Sequence, residues 1–272
     1  MTEIVVRRLL IDLEAPFALR WNGGDAFRSA LFNALSMSFP VGEQFFIDSV
    51  RAGLKSLPDE QRAAFEKEVQ GFVGQEATHR RIHALFNAQL DAHGCNNVWQ
   101  VRSAARIAAN SFRGVKFMVG STAAVEHFTA ILSAWIFRHP EIFEGAEPRL
   151  QNLWHWHAAE EAEHRSTAFD MFRAIDGTEE IRRTVFRYVT FNFLNDLMRQ
   201  TIRNLWHDNS LFKWSTWRSA AHVLFAKDGM VRGNVAAWRE YLEPDFHPTK
   251  QDAPHAIPWL QANASAYSVV GA

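Results

Sequence analysis

Residues 65–90 read FEKEVQGFVGQEATHRRIHALFNAQL, a stretch in which apolar and ionisable side chains share one helical stripe. The stripe advances by three or four residues, as the buried face of a helix does, and Glu76, His79 and His83 occupy positions where apolar side chains belong. A buried carboxylate is costly unless it is protonated, ion-paired or bound to a metal. The stretch therefore predicts a helix that carries ionisable groups into a core.

A second stretch repeats this pattern further along the chain. Residues 150–171, LQNLWHWHAAEEAEHRSTAFDM, place His157, Glu161 and His164 on an inward stripe. The Glu-x-x-His pairs of the two stretches lie 85 residues apart. Because glutamate and histidine three residues apart share one helix face, the two stretches predict equivalent helices with equivalent polar groups.

Each of these helices follows another amphipathic segment that carries one inward carboxylate. Glu43 lies on the stripe of a helix over about residues 24–56, and Glu126 lies on the stripe of a helical stretch that ends at Arg138. Glu43 and Glu76 lie equally far from the turn between their two helices, and so do Glu126 and Glu161. The distance from the turn is roughly 25 Å at a rise of about 1.5 Å per residue. Antiparallel neighbours in that register bring all four carboxylates to one level.

The fold class predicted from this pattern is all-α, a ferritin-like four-helix bundle with additional C-terminal helices. The bundle covers about residues 24–175, and the additional helices and a polar tail cover about 178–272, within a single domain spanning 1–272. Pro40 is expected to kink the first helix, and only residues 3–10 alternate in the manner of a strand.

Composition excludes several classes of protein. The 29 basic and 30 acidic residues nearly balance, so neither a nucleic acid nor a membrane is expected as a partner. Cys95 is the single cysteine, which excludes an internal disulfide and a thiolate metal cluster. The chain has no signal-peptide pattern and no apolar run of about 18 residues, so a cytoplasmic location is expected.

Two in-register sets of glutamate and histidine predict a pair of metal ions. Carboxylates can bridge two cations, while each imidazole binds one of them. Four carboxylates with two or three imidazoles favour iron, with manganese or a mixed Fe/Mn pair as the alternatives, over zinc in its usual tetrahedral site. Which carboxylates bridge stays open at this point.

His157 breaks the internal symmetry, because the equivalent position 85 residues earlier is Phe72. Two interpretations are open: a third histidine ligand on one metal, or a core histidine bonded to a carbonyl or carboxylate. His83, whose equivalent is Ala168, is assigned a supporting or core role rather than ligation. Whether His83 or the C-terminal tail takes part in the site stays open.

Neighbouring acidic residues complicate the assignment. Glu160 and Glu163 flank Glu161, and the stripe and the repeat together select Glu161 as the ligand. Carboxylates often hold the outward nitrogen of a ligand histidine. Three aspartates are candidates for that role: Asp48, Asp170 and Asp196.

The order of these residues resembles two known families. The series Glu43, Glu76-x-x-His79, Glu126, His157-x-x-x-Glu161-x-x-His164 is similar to the ligands of p-aminobenzoate N-oxygenases, which are ferritin-like diiron proteins with an added histidine. The segments SFPVGEQFF, FVGQEATHRRIH and HAAEEAEHR more closely resemble a bacterial family described as predicted metal-dependent hydrolases. The resemblance implies metal ligation by seven residues: Glu43, Glu76, His79, Glu126, His157, Glu161 and His164. It implies no substrate.

Three functions fit such a site. The leading hypothesis is a non-haem dimetal oxygenase or oxidase that activates O2 to oxidise a small organic substrate, with an electron-donor protein as a further partner. The alternative is a dimetal hydrolase in which the metals activate water. The second alternative is a non-catalytic, ferritin-like metal-binding protein. A homodimer is compatible with each of them.

Overall fold

Helices dominate the computed structural model, which describes residues 4–251 and 255–271. The helices are α1 Ala26–Ser56, α2 Asp59–Ala92, α3 Val98–Asn110, α4 Val115–Arg138, α5 Pro148–His164, α6 Thr167–Ala174, α7 Glu179–His207, α8 Trp214–Phe225, α9 Val235–Glu240 and α10 Ala256–Ala262. Two short strands, β1 Arg7–Leu9 and β2 Tyr267–Val269, pair antiparallel with Leu9 opposite Tyr267. The predicted all-α class is confirmed.

Local chemistry sets the ends of the first two helices. The Asp25 side chain accepts the backbone N–H of Arg28 at 2.9 Å, which caps the start of α1. Leu57 is extended because a residue before proline disfavours the helical conformation, so Pro58 separates α1 from α2. The helix continues through Pro40, and its observed bounds agree with the predicted ones.

Two predicted helical stretches are divided in the structure. Gly114, with φ of +79°, separates α3 from α4 after a one-turn helix, a backbone conformation that glycine adopts without strain. The stretch predicted to run to about Ile175 is broken at Arg165 and Ser166, between α5 and α6. The inward stripe continues across that break, so its periodicity could not reveal it. The polar tail contains α10 and β2, which the sequence did not predict, and Glu3 of the predicted strand lies outside the described residues.

The ionisable residues lie between two apolar clusters. Along α1, Phe39 belongs to the first cluster and Phe46 to the second, and Glu43 comes between them. Along α2, Phe72 belongs to the second cluster and Phe86 to the first. Both helices thus pass through a polar layer with apolar packing on either side. Over the described ranges, none of the helices has the length and apolarity needed to cross a bilayer.

Candidate metal centre

The polar layer contains all seven side chains that the sequence predicted as ligands, and each is at most 4% exposed. They come from four helices: Glu43 from α1, Glu76 and His79 from α2, Glu126 from α4, and His157, Glu161 and His164 from α5. Metal binding by these residues stays a prediction, but the structure brings them together.

One group of donors surrounds the inward nitrogen of His164. His164 Nε2 lies 3.2 Å from Glu76 Oε1, 3.3 Å from Glu126 Oε2 and 3.5 Å from Glu161 Oε2. Each of the four residues contributes a donor atom within 4.8 Å of the others. Three carboxylates and one imidazole at this spacing can hold a cation.

The other donors lie on the opposite side of the layer. Glu43, Glu76 and His79 offer donor atoms within 4.8 Å of one another, and so do His79, His157 and Glu161. Glu161 Oε1 is 3.4 Å from His79 Nδ1 and 3.2 Å from His157 Nε2. These donors can hold a second cation.

Two carboxylates belong to both sides of the layer. Glu76 and Glu161, the glutamates of the Glu-x-x-His motifs, have donor atoms in groups on each side. Among the histidines, Glu43 groups with His79, His83 and His157 but not with His164, and Glu126 groups with His164 alone. The geometry thus distinguishes two shared carboxylates from two that face a single side.

The site contains buried polar atoms that the described chain leaves without hydrogen bonds. These atoms are both carboxylate oxygens of Glu43, Glu76 and Glu126, Oε2 of Glu161, Nδ1 of His79, and Nε2 of His157 and His164. Leaving a buried polar atom unsatisfied costs about 1–3 kcal/mol, and folded proteins rarely tolerate it. All of these atoms face the same layer, and all are metal-ligand types, so the donor set fits bound cations.

The electrostatics of the layer lead to the same conclusion. Burial raises the pKa of Glu126 to about 8, and the nearby charge of Glu161 adds to the rise. Burial and the charge of Glu76 raise the pKa of Glu43 well above its usual range. Burial lowers the pKa of His79, but its carboxylate neighbours outweigh burial and raise it to about 10. These groups retain protons that a bound cation would displace.

The outward nitrogens of two histidines are held by symmetry-related residues. His79 Nε2 donates to Glu160 Oε2 at 3.0 Å, and His164 Nδ1 donates to Gln75 Oε1 at 2.7 Å. Gln75 and Glu160 each directly precede a motif glutamate and lie 85 residues apart. Because each outward nitrogen donates a hydrogen bond, the inward nitrogen is the one that gives up its proton to a cation and offers it a lone pair.

The N-terminal strand closes this histidine side of the site. Arg7 of β1 pairs with Glu163 at 2.6 Å and with Glu160 at 3.3 Å. Gln75 Nε2 donates to Glu163 at 2.8 Å and to the carbonyl of Val5 at 2.9 Å. Arg7 and Gln75 were not predicted from the sequence, although the 85-residue repeat that relates the two Glu-x-x-His motifs also relates Gln75 to Glu160.

A chain of hydrogen bonds orients His157. The Asn87 amide donates to the Ser36 carbonyl, so Asn87 Oδ1 is left to accept the Ser36 hydroxyl at 2.8 Å. Ser36 Oγ then accepts from His83 Nδ1 at 2.9 Å, and His83 Nε2 accepts from His157 Nδ1 at 3.1 Å. The lone pair of His157 Nε2 therefore faces Glu161, as a ligand's would.

This chain also defines the place of His83. A donor atom of His83 lies close to Glu43 and His157, but both of its ring nitrogens already have partners. Burial lowers its pKa well below the usual range, so the ring is neutral. His83 supports His157, in agreement with the role expected for it. No tail residue in the described part of the chain belongs to the donor groups.

The three aspartates expected to support the histidines have other partners, so that prediction was wrong. Asp196 pairs with two arginines of α3. Asp170 accepts from His247 at 2.8 Å, and Asp48 is exposed on α1. The supporting residues lie instead beside the motif glutamates, and only the packing of α2 against α5 brings them to the opposite helix's histidine.

The fold and the site define a helical protein with a buried carboxylate and histidine centre suited to metal ions. Residues 5–252 match the model of a family described as "Predicted metal-dependent hydrolase", and the chain belongs to this family. No curated protein and no solved structure matches the chain. The family agrees with the closer of the two resemblances found in the sequence.

Proposed function

We propose that this chain is a metal-dependent enzyme that holds two cations inside a ferritin-like four-helix bundle, within a single domain. The bundle consists of α1, α2, α4 and α5. We name its two positions the first subsite, with Glu43, His79 and His157, and the second subsite, with Glu126 and His164. Glu76 and Glu161 would contribute to both subsites, because their donor atoms belong to groups on both sides.

The observation that carries this proposal is the convergence of unsatisfied buried donors on one layer. Four carboxylates carry about four negative charges when ionised, which two divalent cations neutralise. A layer of this charge between two apolar clusters is costly without such ions. The outward nitrogen of each histidine donates to Glu160, Gln75 or His83, so that each ring, once neutral, presents its inward nitrogen to a cation.

The description of the family supports hydrolysis as the reaction, and the substrate that we propose is a small organic molecule. Two bound cations would lower the pKa of a water molecule and polarise a carbonyl or phosphoryl oxygen. Glu43 and Glu126, each confined to one subsite, are the carboxylates available to take up the proton that water loses.

The donor set supports a second candidate, the oxidation of a small organic substrate by O2. Seven oxygen and nitrogen donors in a buried layer suit iron or manganese better than zinc. Such ions would supply redox chemistry, with an electron-donor protein as the partner. The order of the ligands, including His157, resembles the N-oxygenases, and this resemblance is the support for the oxidative candidate.

One set of measurements separates the candidates. The protein would be purified, its metal content measured, and metal-free samples reloaded with iron, manganese or zinc. Turnover of carboxylic or phosphoric esters by loaded protein without O2 supports the hydrolase, whereas O2 uptake after anaerobic reduction supports the oxidase. Glu161→Ala is the control, since it removes a bridging carboxylate and would abolish either activity. Failure of the wild type to take up any of the three metals would contradict the proposal.

A further inference from the structure

An apolar cavity lies beside the centre, on the side away from Arg7. Its volume is about 200 Å³, and α1, α3, α4 and α7 surround it. An apolar cavity of about 150 Å³ is large enough to bind benzene. The cavity therefore has room for one aromatic ring with a substituent.

The cavity adjoins the carboxylate side of the centre. Gly42 and Val125 line it, and they directly precede the glutamates of α1 and α4. Phe39 also lines it, and the centroid of its ring lies 4.7 Å from that of His157 and 4.5 Å from that of His83. Phe39 is thus a wall shared by the cavity and the first subsite.

The opposite side of the centre is not open to a substrate. There the outward nitrogens of His79 and His164 are hydrogen-bonded to Glu160 and Gln75, and Arg7 packs behind them. The oxygens of the α1 and α4 glutamates, in contrast, have no hydrogen-bond partner in the described chain. None of the seven predicted ligands is among the described residues that line the cavity, and Phe39, whose ring contacts His157, separates it from the centre.

The walls of the cavity offer no free charge. None of the residues that line it is acidic, and its single basic side chain, Arg106, pairs with Asp196. Its buried hydroxyls donate to carbonyls of their own helix, as Ser121 does to Phe117 at 2.8 Å and Thr129 to Glu126 at 2.9 Å. The remaining surface is largely aromatic and aliphatic, so a charged guest would lose its hydration without replacement.

We propose that this cavity binds the apolar part of the substrate, an uncharged group the size of one substituted aromatic ring. The inference rests on the proposed function, because it places the reacting bond of that substrate at the carboxylate side of the centre. Aromatic walls such as Phe46, Trp99 and Phe193 suit a flat guest, and rings in contact prefer tilted or offset geometries.

Helix α3 allows the cavity to be altered without touching the centre, because it contributes none of the seven donors. Its N-terminus is held by Gln200 Oε1, which accepts the backbone N–H of Val98 at 3.1 Å and of Trp99 at 3.0 Å. Ser103 lines the cavity, whereas Ala105 lies on the exposed face of the same helix. Ser103→Leu and Ala105→Leu are therefore a matched pair.

The test uses two probes of similar size, 4-fluorotoluene and 4-fluorobenzoate, titrated into the protein and followed by ¹⁹F NMR. We expect 4-fluorotoluene to bind the wild type and Ala105→Leu alike, and to bind Ser103→Leu at least about tenfold more weakly because leucine occupies the space. We expect 4-fluorobenzoate to bind the wild type at least about tenfold more weakly than 4-fluorotoluene, because its charge would be desolvated.

A second variant enlarges the cavity instead of filling it. Ile107 also lines it, and Ile107→Ala enlarges it, so this variant should bind 1-fluoronaphthalene at least about tenfold more tightly than the wild type does. The inference is overturned if the wild type fails to bind 4-fluorotoluene, if Ser103→Leu binds it as the wild type does, or if the carboxylate probe binds equally well.

The titrations are made with metal-free and metal-loaded protein, and metal content is measured in each variant. Loss of the ring-binding pattern in protein that takes up two ions overturns the inference and leaves the proposed function intact. The full binding pattern in protein that takes up no metal overturns the proposed function and leaves the cavity as a site for an apolar ring.

Discussion

The α1–α2 hairpin and the α4–α5 pair place equivalent residues in the polar layer, but their flanking positions differ. Where α5 has His157, α2 has Phe72, whose ring centroid lies 5.0 Å from that of His164. Where α2 has His83, the second half has the fully buried Ala168. His157 thus comes from the α4–α5 pair and its partner His83 from the α1–α2 hairpin, and the two meet at the first subsite only. A protein built on a repeat can therefore hold two unlike metal positions.

The hydrogen-bond partners of the outward histidine nitrogens also differ between the two halves. Gln75, a neutral amide, holds His164, whereas Glu160, a carboxylate paired with Arg7, holds His79. A carboxylate partner makes an imidazole more basic and a stronger ligand than an amide partner does. Both differences favour tighter binding at the first subsite, and the following predictions test that conclusion.

The largest effect is expected from Glu161→Ala, which removes a carboxylate shared by both subsites. Metal content should fall to about a tenth of that of the wild type or less, because each cation loses one of the two carboxylates that the subsites share. Elemental analysis of purified protein measures this content. Glu144→Ala, at an exposed position before α5, should leave it unchanged. A variant that still holds two ions would show that Glu161 is not shared.

The next largest effect is expected from His157→Phe, which places on α5 the residue that α2 has at the equivalent position, Phe72. We expect loss of the ion at the first subsite and retention of the ion at the second, so the metal content should fall from two ions to about one. The control is His155→Phe on the same helix, whose side chain hydrogen-bonds to the Gln151 carbonyl. Unchanged metal content in His157→Phe would assign His157 to the core instead.

A smaller effect is expected from exchanging Glu160 and Gln75, which accept the hydrogen bonds of the outward nitrogens of His79 and His164. Glu160→Gln should weaken metal binding at the first subsite by about 10- to 100-fold. Gln75→Glu should have its effect on the second subsite, where it places a carboxylate behind His164. Competition with a chelator measures both affinities, and Glu160→Gln also requires a folded protein by circular dichroism. Equal losses at the two subsites in each variant would mean that the residues act on the fold and not on individual ligands.

The smallest effect is the pH dependence of metal uptake. In the metal-free protein at pH 7, Glu126 with a pKa of about 8 and His79 with a pKa of about 10 are protonated. Each must lose its proton to bind a cation, so affinity should rise by about tenfold per pH unit for each proton displaced, up to the respective pKa. Burial lowers the pKa of His157 to about 4, so it releases no proton at pH 7.

Calorimetry in buffers of different ionisation enthalpy counts the released protons. His157→Phe should leave the number per bound ion at the second subsite unchanged, since that subsite contains Glu126. Uptake at pH 7 without proton release would contradict the protonation states assigned to the metal-free layer.

The sequence was sufficient for most of the helices and for the inward positions of the seven residues predicted as ligands, because both follow from local periodicity, while metal binding by these residues stays a prediction. Glu43, Glu76 and Glu161 were found because each interrupts an apolar stripe at helical spacing, which any single helix reveals. The equal distances from the turns then placed them at one level. The break between α5 and α6 was missed because the stripe continues across it.

Tertiary structure decided which residues surround the ligands. Arg7 and Glu163 are 156 residues apart, and no periodicity in the sequence relates them. Asp196 was an equally good candidate on sequence grounds but lies against α3, where it neutralises two arginines. Likewise, α3 and α7 cover the cavity only because of how they pack on α1 and α4.

The sequence by itself determined the helical class and a repeated set of ionisable residues on inward faces, since both are properties of a chain with 3.6 residues per turn. Only the tertiary structure decided that Glu76 and Glu161 are shared, that His83 supports His157, and that an apolar cavity adjoins the carboxylate side. Those features depend on distances between helices, which sequence spacing within one helix does not contain.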